Sequence, residues 1–442
     1  TMTATTTGAN NTACGYLALN ATTTGSRNTA IGGFALEQNT TANNNTAVGY
    51  ECLEANTTGT SNFAVGSFAL DDSTTADDNT AVGYNSLTNN QTGHSNVAVG
   101  RSALQNNTAN NNVAVGYYAL GTNTTGTENV AIGPGSLDAN STGIENTAVG
   151  YYSLSSCTTG RFNTAIGRDA MLDCTTGQHN VALGADALYK NTTAAQNVAV
   201  GYQALENNTT GEFNTAVGFR ALEANQTSDG NVAVGKQALQ SNTTGNQNVA
   251  VGTFTADSIT TGTRNVAIGH AALEANQTVT GLTAVGAYCL DANSTGDENT
   301  GVGYLALSSN TTGTYNTAIG RSALYNNTTA NHNTACGRDA LFSNTTGARN
   351  TAVGADSLQI NTTGGDNTAV GYDALDSCTT GGSNTAVGSG SLLNLSTGAY
   401  NTAIGVGALE DVTTSEDNSA IGRLAGRNIT TGVRNTCLGH IA

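Results

Sequence analysis

Apolar and polar positions along this chain recur every seventeen residues, not every two as in a lone strand or every 3.6 as in a helix. Asn11, Asn28, Asn45, Asn62, Asn79 and Asn96 each open a block such as Asn45-Thr46-Ala47-Val48-Gly49. One residue is lost after Asn96, so the next block opens at Asn112, and the spacing of 17 then holds to Asn435. Only Leu282 departs from Asn in that column. Phases 1 to 17 counted from this Asn give the consensus N-[TV]-A-[VI]-G-x-x-A-L-x-x-N-T-T-G-x-x.

The columns differ sharply in what they accept. Phase 5 is Gly in all 26 units, from Gly15 to Gly439, and phase 3 is Ala except at Gly301 and Cys437. Phase 4 holds Val, Ile, Leu or Cys, and phase 9 is nearly always Leu. Phases 6, 7, 10, 11, 16 and 17 vary freely and carry all 45 charged residues and all five His. Charges are rarely buried without a partner, so these six phases mark the solvent side of every unit.

A period of 17 is too short for a helix pair and predicts one coil of an all-β, parallel β-solenoid with about 26 coils. Phases 1 to 5 read as a short strand ended by a Gly able to take positive φ. Phases 8 and 9, Ala-Leu, read as a second strand or a corner, and Asn-Thr-Thr-Gly at phases 12 to 15 as the return turn. Stacked at ~4.8 Å, the coils predict a rod of about 125 Å, one continuous array over residues 1–442 without separate domains. Asn28, Asn45 and Asn62 in phase 1, with Asn56 and Asn208 in phase 12, are expected to form buried amide ladders, because Asn exchanges with Cys, Ile, Leu and Val at phase 12.

Alternation along the strand puts phases 1, 3 and 5 on one face and phases 2 and 4 on the other. Neither face carries a charge in any of the 26 units, so both are expected to be covered. A Val/Ile stripe left open along the whole array would exceed the apolar patches usual on a monomer. Side-by-side association of parallel rods follows, most simply as a homotrimer. The alternative is a lone solenoid that binds a ligand on one flat face.

Composition narrows the function. The chain has 55 Gly, one Pro, no Trp, 5% aromatic residues and a formal charge of −17. Large globular cores and nucleic-acid binding are both disfavoured by these values. No apolar run approaches the ~20 residues of a membrane helix, so membrane insertion is not expected. Thr1-Met2-Thr3-Ala4 lacks a basic leader region, which reads as a mature or internal segment. Thr1 and Ala442 both fall at phase 8, in mid-coil, so either the sequence is a slice of a longer chain or the rods continue end to end as a filament.

The block Asn129-Val130-Ala131-Ile132-Gly133 followed by Ser136-Leu137 resembles the head repeats of YadA-type trimeric autotransporter adhesins, whose motif is S-V-A-I-G-x-x-A. Asn316-Thr317-Ala318-Ile319-Gly320, then Ala323-Leu324 and Asn327-Thr328-Thr329, is also similar to arrays in long tail-fibre-like and surface adhesin proteins. The resemblance spans the whole chain. It implies trimers of parallel β-rolls and an adhesive role at a cell surface. The coil here is longer than in those heads, and the anchor barrel, stalk and chaperone tail of such proteins have no counterpart in this sequence.

Candidate chemistry is sparse. Cys14 and Cys336 replace Val, Cys52, Cys289 and Cys437 replace Ala, and Cys157, Cys174 and Cys378 replace Asn, so all eight read as buried packing thiols. Cys157 and Cys174 share a phase in adjacent coils, at a spacing within disulfide range, and form a possible disulfide. His94, His179, His270, His332 and His440 lie at three surface phases without metal or triad spacing and read as solvated. Asp71-Asp72, Asp77-Asp78 and Asp297-Glu298 could hold calcium between coils, but solvated charge explains them as well, and no metal or cofactor is expected.

Tyr16, Tyr50 and Tyr84 lead a phase-6 series that could stack on a cell-surface glycan. The Thr pair at phases 13 and 14 could order ice, though turn hydroxyls explain it too, and the Asn-Thr-Thr sequons are poor glycosylation acceptors if phase 12 points inward. No nucleophile, general base or phosphate loop stands out, and a fibre-borne depolymerase would need clustered carboxylates. The sequence therefore predicts a non-enzymatic, extracellular or virion structural fibre: a stiff β-solenoid shaft of an adhesin, surface fibre or filament.

Overall fold

Three residues per repeat, at phases 2 to 4, are extended. Their β-branched and small side chains favour a strand, and the Gly that follows leaves the β region. In the computed structural model, which describes residues 4–442, these strands run from Thr12–Cys14 to Thr436–Leu438, and no helix occurs among the described residues. The chain divides into two compact units at Arg220 and Ala221, with thirteen strands in each. Within each unit every strand pairs in parallel and in register with the next coil's, so Thr46 faces Phe63, Ala47 faces Ala64 and Val48 faces Val65. The same holds in the second unit, where Thr351, Ala352 and Val353 face Thr368, Ala369 and Val370. The protein is thus a parallel β-solenoid with a coil of about seventeen residues. Thr1, placed at phase 8 by the repeat, lies outside the described residues.

The strand is shorter than the five residues expected because Gly at phase 5 adopts φ between 118° and 153°. Glycine is required there twice over. At Gly150, φ is 140°, and a Cβ would stand 2.3 Å from the carbonyl oxygen of Gly167 in the next coil.

Backbone bonding between coils is not confined to the strands. Between the coils opened by Asn28 and Asn45, the amides of Thr29, Leu36, Gln38 and Thr40 donate to Asn45, Cys52, Glu54 and Thr57 of the following coil. The amides of Gly49, Glu51 and Ser61 donate back to Ile31, Gly33 and Asn43. Bonds thus surround the whole circumference, which accounts for backbone groups that a three-residue strand would leave unpaired. The device that permits this is a left-handed residue at phases 7, 9 and 17, as at Glu51 (φ 51°), Leu53 (56°) and Ser61 (60°). Each of these residues presents its N–H along the stacking direction: Leu53 donates to Ala69 at 3.0 Å and Ser61 to Asn43 at 3.1 Å. Left-handed backbone costs a non-glycine residue roughly 1–2 kcal/mol. An inter-coil hydrogen bond and, at phase 9, a fully buried Leu offset that cost. Phases 8 and 9 are therefore a corner and not a second strand.

The interior is narrow. Ala47, Cys52 and Leu53 in one coil, and Ala64, Ala69 and Leu70 in the next, are fully buried. Between them and the return turn lie the two Asn columns. The 16-residue coil opened by Asn96 closes by omitting one position of the return turn: Asn96 and Asn107 both donate Nδ2 hydrogens to Ala109 O at 2.8 Å, and Asn112 N still reaches Asn96 Oδ1 at 2.9 Å.

Candidate functional surfaces

The amide ladders are present as expected and have a more specific architecture than simple stacking. Asn28 N donates to Asn11 Oδ1 at 2.9 Å, Asn45 N to Asn28 Oδ1 at 3.0 Å and Asn62 N to Asn45 Oδ1 at 2.8 Å. In phase 12, Asn56 Nδ2 reaches Asn39 Oδ1 at 3.1 Å, and Asn208 Nδ2 reaches Asn191 Oδ1 at 3.3 Å. The columns meet at phase 15, where Gly59 O accepts from Asn45 Nδ2 at 2.8 Å and from Asn56 Nδ2 at 3.0 Å. One carbonyl thus ties the return turn to the strand and to the corner. These Asn residues are buried structural clamps, and a sequon Asn such as Asn56 is inaccessible as it stands.

The Thr pair divides its work. At phase 13 the hydroxyl donates to the next coil's phase-13 carbonyl, as Thr40 Oγ1 does to Thr57 O at 3.1 Å, while the phase-14 Thr faces solvent.

Of the two strand faces, the chain covers the inner one itself, packing Ala against Leu. The outer face is open: Ile31, Ile132, Leu183 and Ile319 are each about two-fifths exposed, at 43, 40, 45 and 43%. Cys14 and Cys336, expected to be buried, are exposed because phase 4 points outward. Cys157 and Cys174 do lie together, but as free thiols rather than a disulfide. Their side chains run parallel in the phase-12 column, where Cys174 Sγ takes the place of an amide toward Gly177 O at 3.9 Å. The hydrogen bond between the two sulfurs, and then burial, push the Cys157 thiol well above its usual range.

On the turn face, Tyr16, Tyr50 and Tyr84 belong to one continuous row. Phe34 and Phe68 fill the gaps, and the five rings meet edge to face with centroids 5.3 to 5.8 Å apart. The two phenylalanines come from phase 7 of alternate coils. Small residues at phase 6, Gly33 and Ser67, make room beside them, and that alternation is the signal in the sequence that finds them. Arg101 extends the row, its guanidinium carbon lying 5.7 Å from the ring centre of Tyr84 and 6.0 Å from that of Tyr117.

The acidic residues are less scattered than their spacing suggests. Glu51, Glu54 and Asp71 bring carboxylate oxygens within 4.8 Å of one another across two coils. Burial, then Glu54, Asp72 and Glu51, push the Asp71 carboxyl up to about 7. Asp77 and Asp297 instead serve the backbone, accepting from Thr60 N at 2.6 Å and Thr280 N at 2.8 Å. The histidines are paired with neighbours: His179 stacks on Phe162 and His332 on Tyr315, at 4.8 and 5.1 Å between centroids.

No helix among the described residues is long and apolar enough to cross a membrane. Compared with known protein families and with characterised proteins, the chain matches none.

Proposed function

We propose that this chain is a non-enzymatic structural element, the stiff shaft of an extracellular adhesin, surface fibre, virion fibre or filament, whose copies pack side by side as a homotrimer. The observation that carries this reading is the open strand face. A chain of formal charge −17 repels its own copies. Within each unit phases 2 and 4 form an outward surface without charge, lined by Thr, Val and Ile that gain from being covered. Copies that meet there join apolar stripes and keep every carboxylate at the outside. Within each unit, bonding around the full circumference of a coil gives the stiffness such a shaft needs, since a coil is held by its neighbours along the stack. The repeat itself continues through residues 220 and 221 without a break in phase.

Light scattering at several protein concentrations tests the proposal. A concentration-independent mass of three chains supports it, and mass growing without limit points to end-to-end filaments. A single-chain mass at all concentrations overturns the association. A second reading, a monomeric solenoid that binds a cell-surface glycan, draws on the Tyr16–Phe34–Tyr50–Phe68–Tyr84 row, a continuous aromatic strip open to solvent. A single-chain mass together with retention on a glycan array, lost on replacing Tyr50 by Ala, favours that reading.

A further inference from the structure

Beyond Arg101 the aromatic row reaches a place where the pattern repeats with one element missing. At phase 6 the order is Tyr84, Arg101, Tyr117, Pro134, Tyr151. Tyr84 and Tyr117 are two coils apart, as are Tyr117 and Tyr151, about 9.6 Å along the stack in each case. In the first gap the Arg101 guanidinium sits between the rings, 5.7 and 6.0 Å from their centres. In the second gap stands Pro134, the only proline of the chain, with Gly135 beside it. A cleft of about 370 Å³ opens there, lined by Tyr117, Tyr118, Tyr151 and Tyr152 above the Pro134-Gly135 floor.

We propose that this cleft binds an organic cation, an ammonium or guanidinium group carried by a small molecule, in the position that Arg101 supplies internally one gap earlier. Four tyrosine rings line the cleft, Tyr151 and Tyr152 meeting edge to face with centroids 4.3 Å apart, and cation–π attraction favours a charged alkylated nitrogen over a neutral group. One carboxylate completes the site: Asp138 lines the cleft, and Ser155 Oγ donates to its Oδ1 at 2.6 Å.

The arrangement is held before any ligand arrives. Gly135 N donates to Tyr117 O at 3.0 Å and Tyr152 N to Pro134 O at 3.1 Å, fixing the floor to both walls. Glycine at 135 is what lets Tyr152 lie across the floor, because a Cβ there would stand 2.4 Å from its ring. The net charge of −17 also draws cations toward the surface. This inference does not rest on the shaft reading, since it uses a local cleft in one chain.

Ligand-observed NMR titration of the full chain with tetramethylammonium and methylguanidinium, and with methyl glucoside as a neutral ring, tests it. Saturable binding of at least one cation is expected, weakened roughly five-fold by Tyr117→Leu or by Tyr151→Leu. Pro134→Arg should abolish binding by filling the gap from within, and because arginine already occupies phase 6 at residue 101 the variant should fold. Tetramethylammonium binding more tightly than methylguanidinium would assign the cleft to quaternary ammonium groups, and the reverse order to guanidinium groups. Absence of saturation with both cations overturns the proposal. So does cation binding that survives Pro134→Arg, or a tyrosine-dependent preference for methyl glucoside.

Discussion

The backbone amide of Asn45 donates to the side-chain oxygen of Asn28 at 3.0 Å, while Asn45 returns its own side-chain oxygen to Asn62 N at 2.8 Å. Each Asn in this stretch of the column is therefore acceptor for one coil and donor to another, inside the buried core. Asn45→Ala leaves the buried amide of Asn62 without its acceptor and takes one donor from Gly59 O. A loss of about 2–4 kcal/mol follows from groups left unpaired. Hydrogen exchange should register it as fast exchange at Thr46 and Asn62, with distant coils unchanged. At Leu282 the column is naturally interrupted: Leu282 N still reaches Asn265 Oδ1 at 2.9 Å, but the residue has no side-chain oxygen to pass on. Leu282→Asn should raise local protection at Asn299 by about tenfold, on the order of 1 kcal/mol.

Glycine at phase 5 is the least replaceable residue of the repeat. Gly150→Ala combines a φ of 140° with a Cβ placed 2.3 Å from Gly167 O. A penalty above about 3 kcal/mol is expected from the strained backbone and the forced separation of coils. Denaturant unfolding should show a lower midpoint than for Thr142→Ala, a change at an exposed phase-14 position.

Acid should stabilise the coils around Asp71. Its carboxyl is raised from an ordinary 3.8 to about 7 in the folded chain. The folded state therefore holds a proton that the unfolded state has released between these values. The stabilisation is complete below about pH 4 and is lost as pH rises through 7. Because Asp71 is half-exposed, the gain is on the order of 1 kcal/mol after solvent screening. Thermal unfolding should move to higher temperature between pH 8 and pH 5, and Asp71→Asn should flatten that dependence.

Replacing outward Val82 and Val99 by Asp places two carboxylates on the uncharged strand face without touching the inner Ala column. If copies meet there, light scattering should return a single-chain mass while the far-ultraviolet circular dichroism stays unchanged. An unaltered oligomer would assign the association to another surface.

Thiol labelling reads the orientation of each column. Cys14 and Cys336 should react with a maleimide in the native protein, whereas Cys52, Cys157, Cys174, Cys289 and Cys378 should react only after unfolding. Mild oxidation should leave Cys157 and Cys174 unlinked, since both thiols are buried side by side in a packed column.

The columns that fix the coil were legible because burial filters residue types so strictly. Phases that admit Asp, Lys and His lie at the surface, with Asp186 and Asp356 at phase 7 covered beside Arg168 and Arg338, and a phase that exchanges Asn for Cys, Ile and Leu is interior. The left-handed corners were not legible. Leu53 and Glu51 carry no local preference for positive φ, and their conformation is imposed by coils above and below that need their N–H groups. The aromatic row was half visible: Tyr16, Tyr50 and Tyr84 share a phase, but Phe34 and Phe68 reach them from the adjacent phase. The carboxylate cluster escaped for a similar reason, since Glu51 comes from phase 7 and Asp71 from phase 10 of the next coil. Contacts between neighbouring phases on successive coils depend on how side chains lean, which a column-by-column alignment does not record.

The in-register pairing of coils has a consequence for the gene. Because one interface serves for nearly every neighbour, recombination between misaligned repeats would delete or duplicate seventeen codons at a time, and each new junction would inherit hydrogen bonds already in use. Reach would then change in steps of ~4.8 Å without any new packing having to be invented. Size in such a protein is inherited as a copy number.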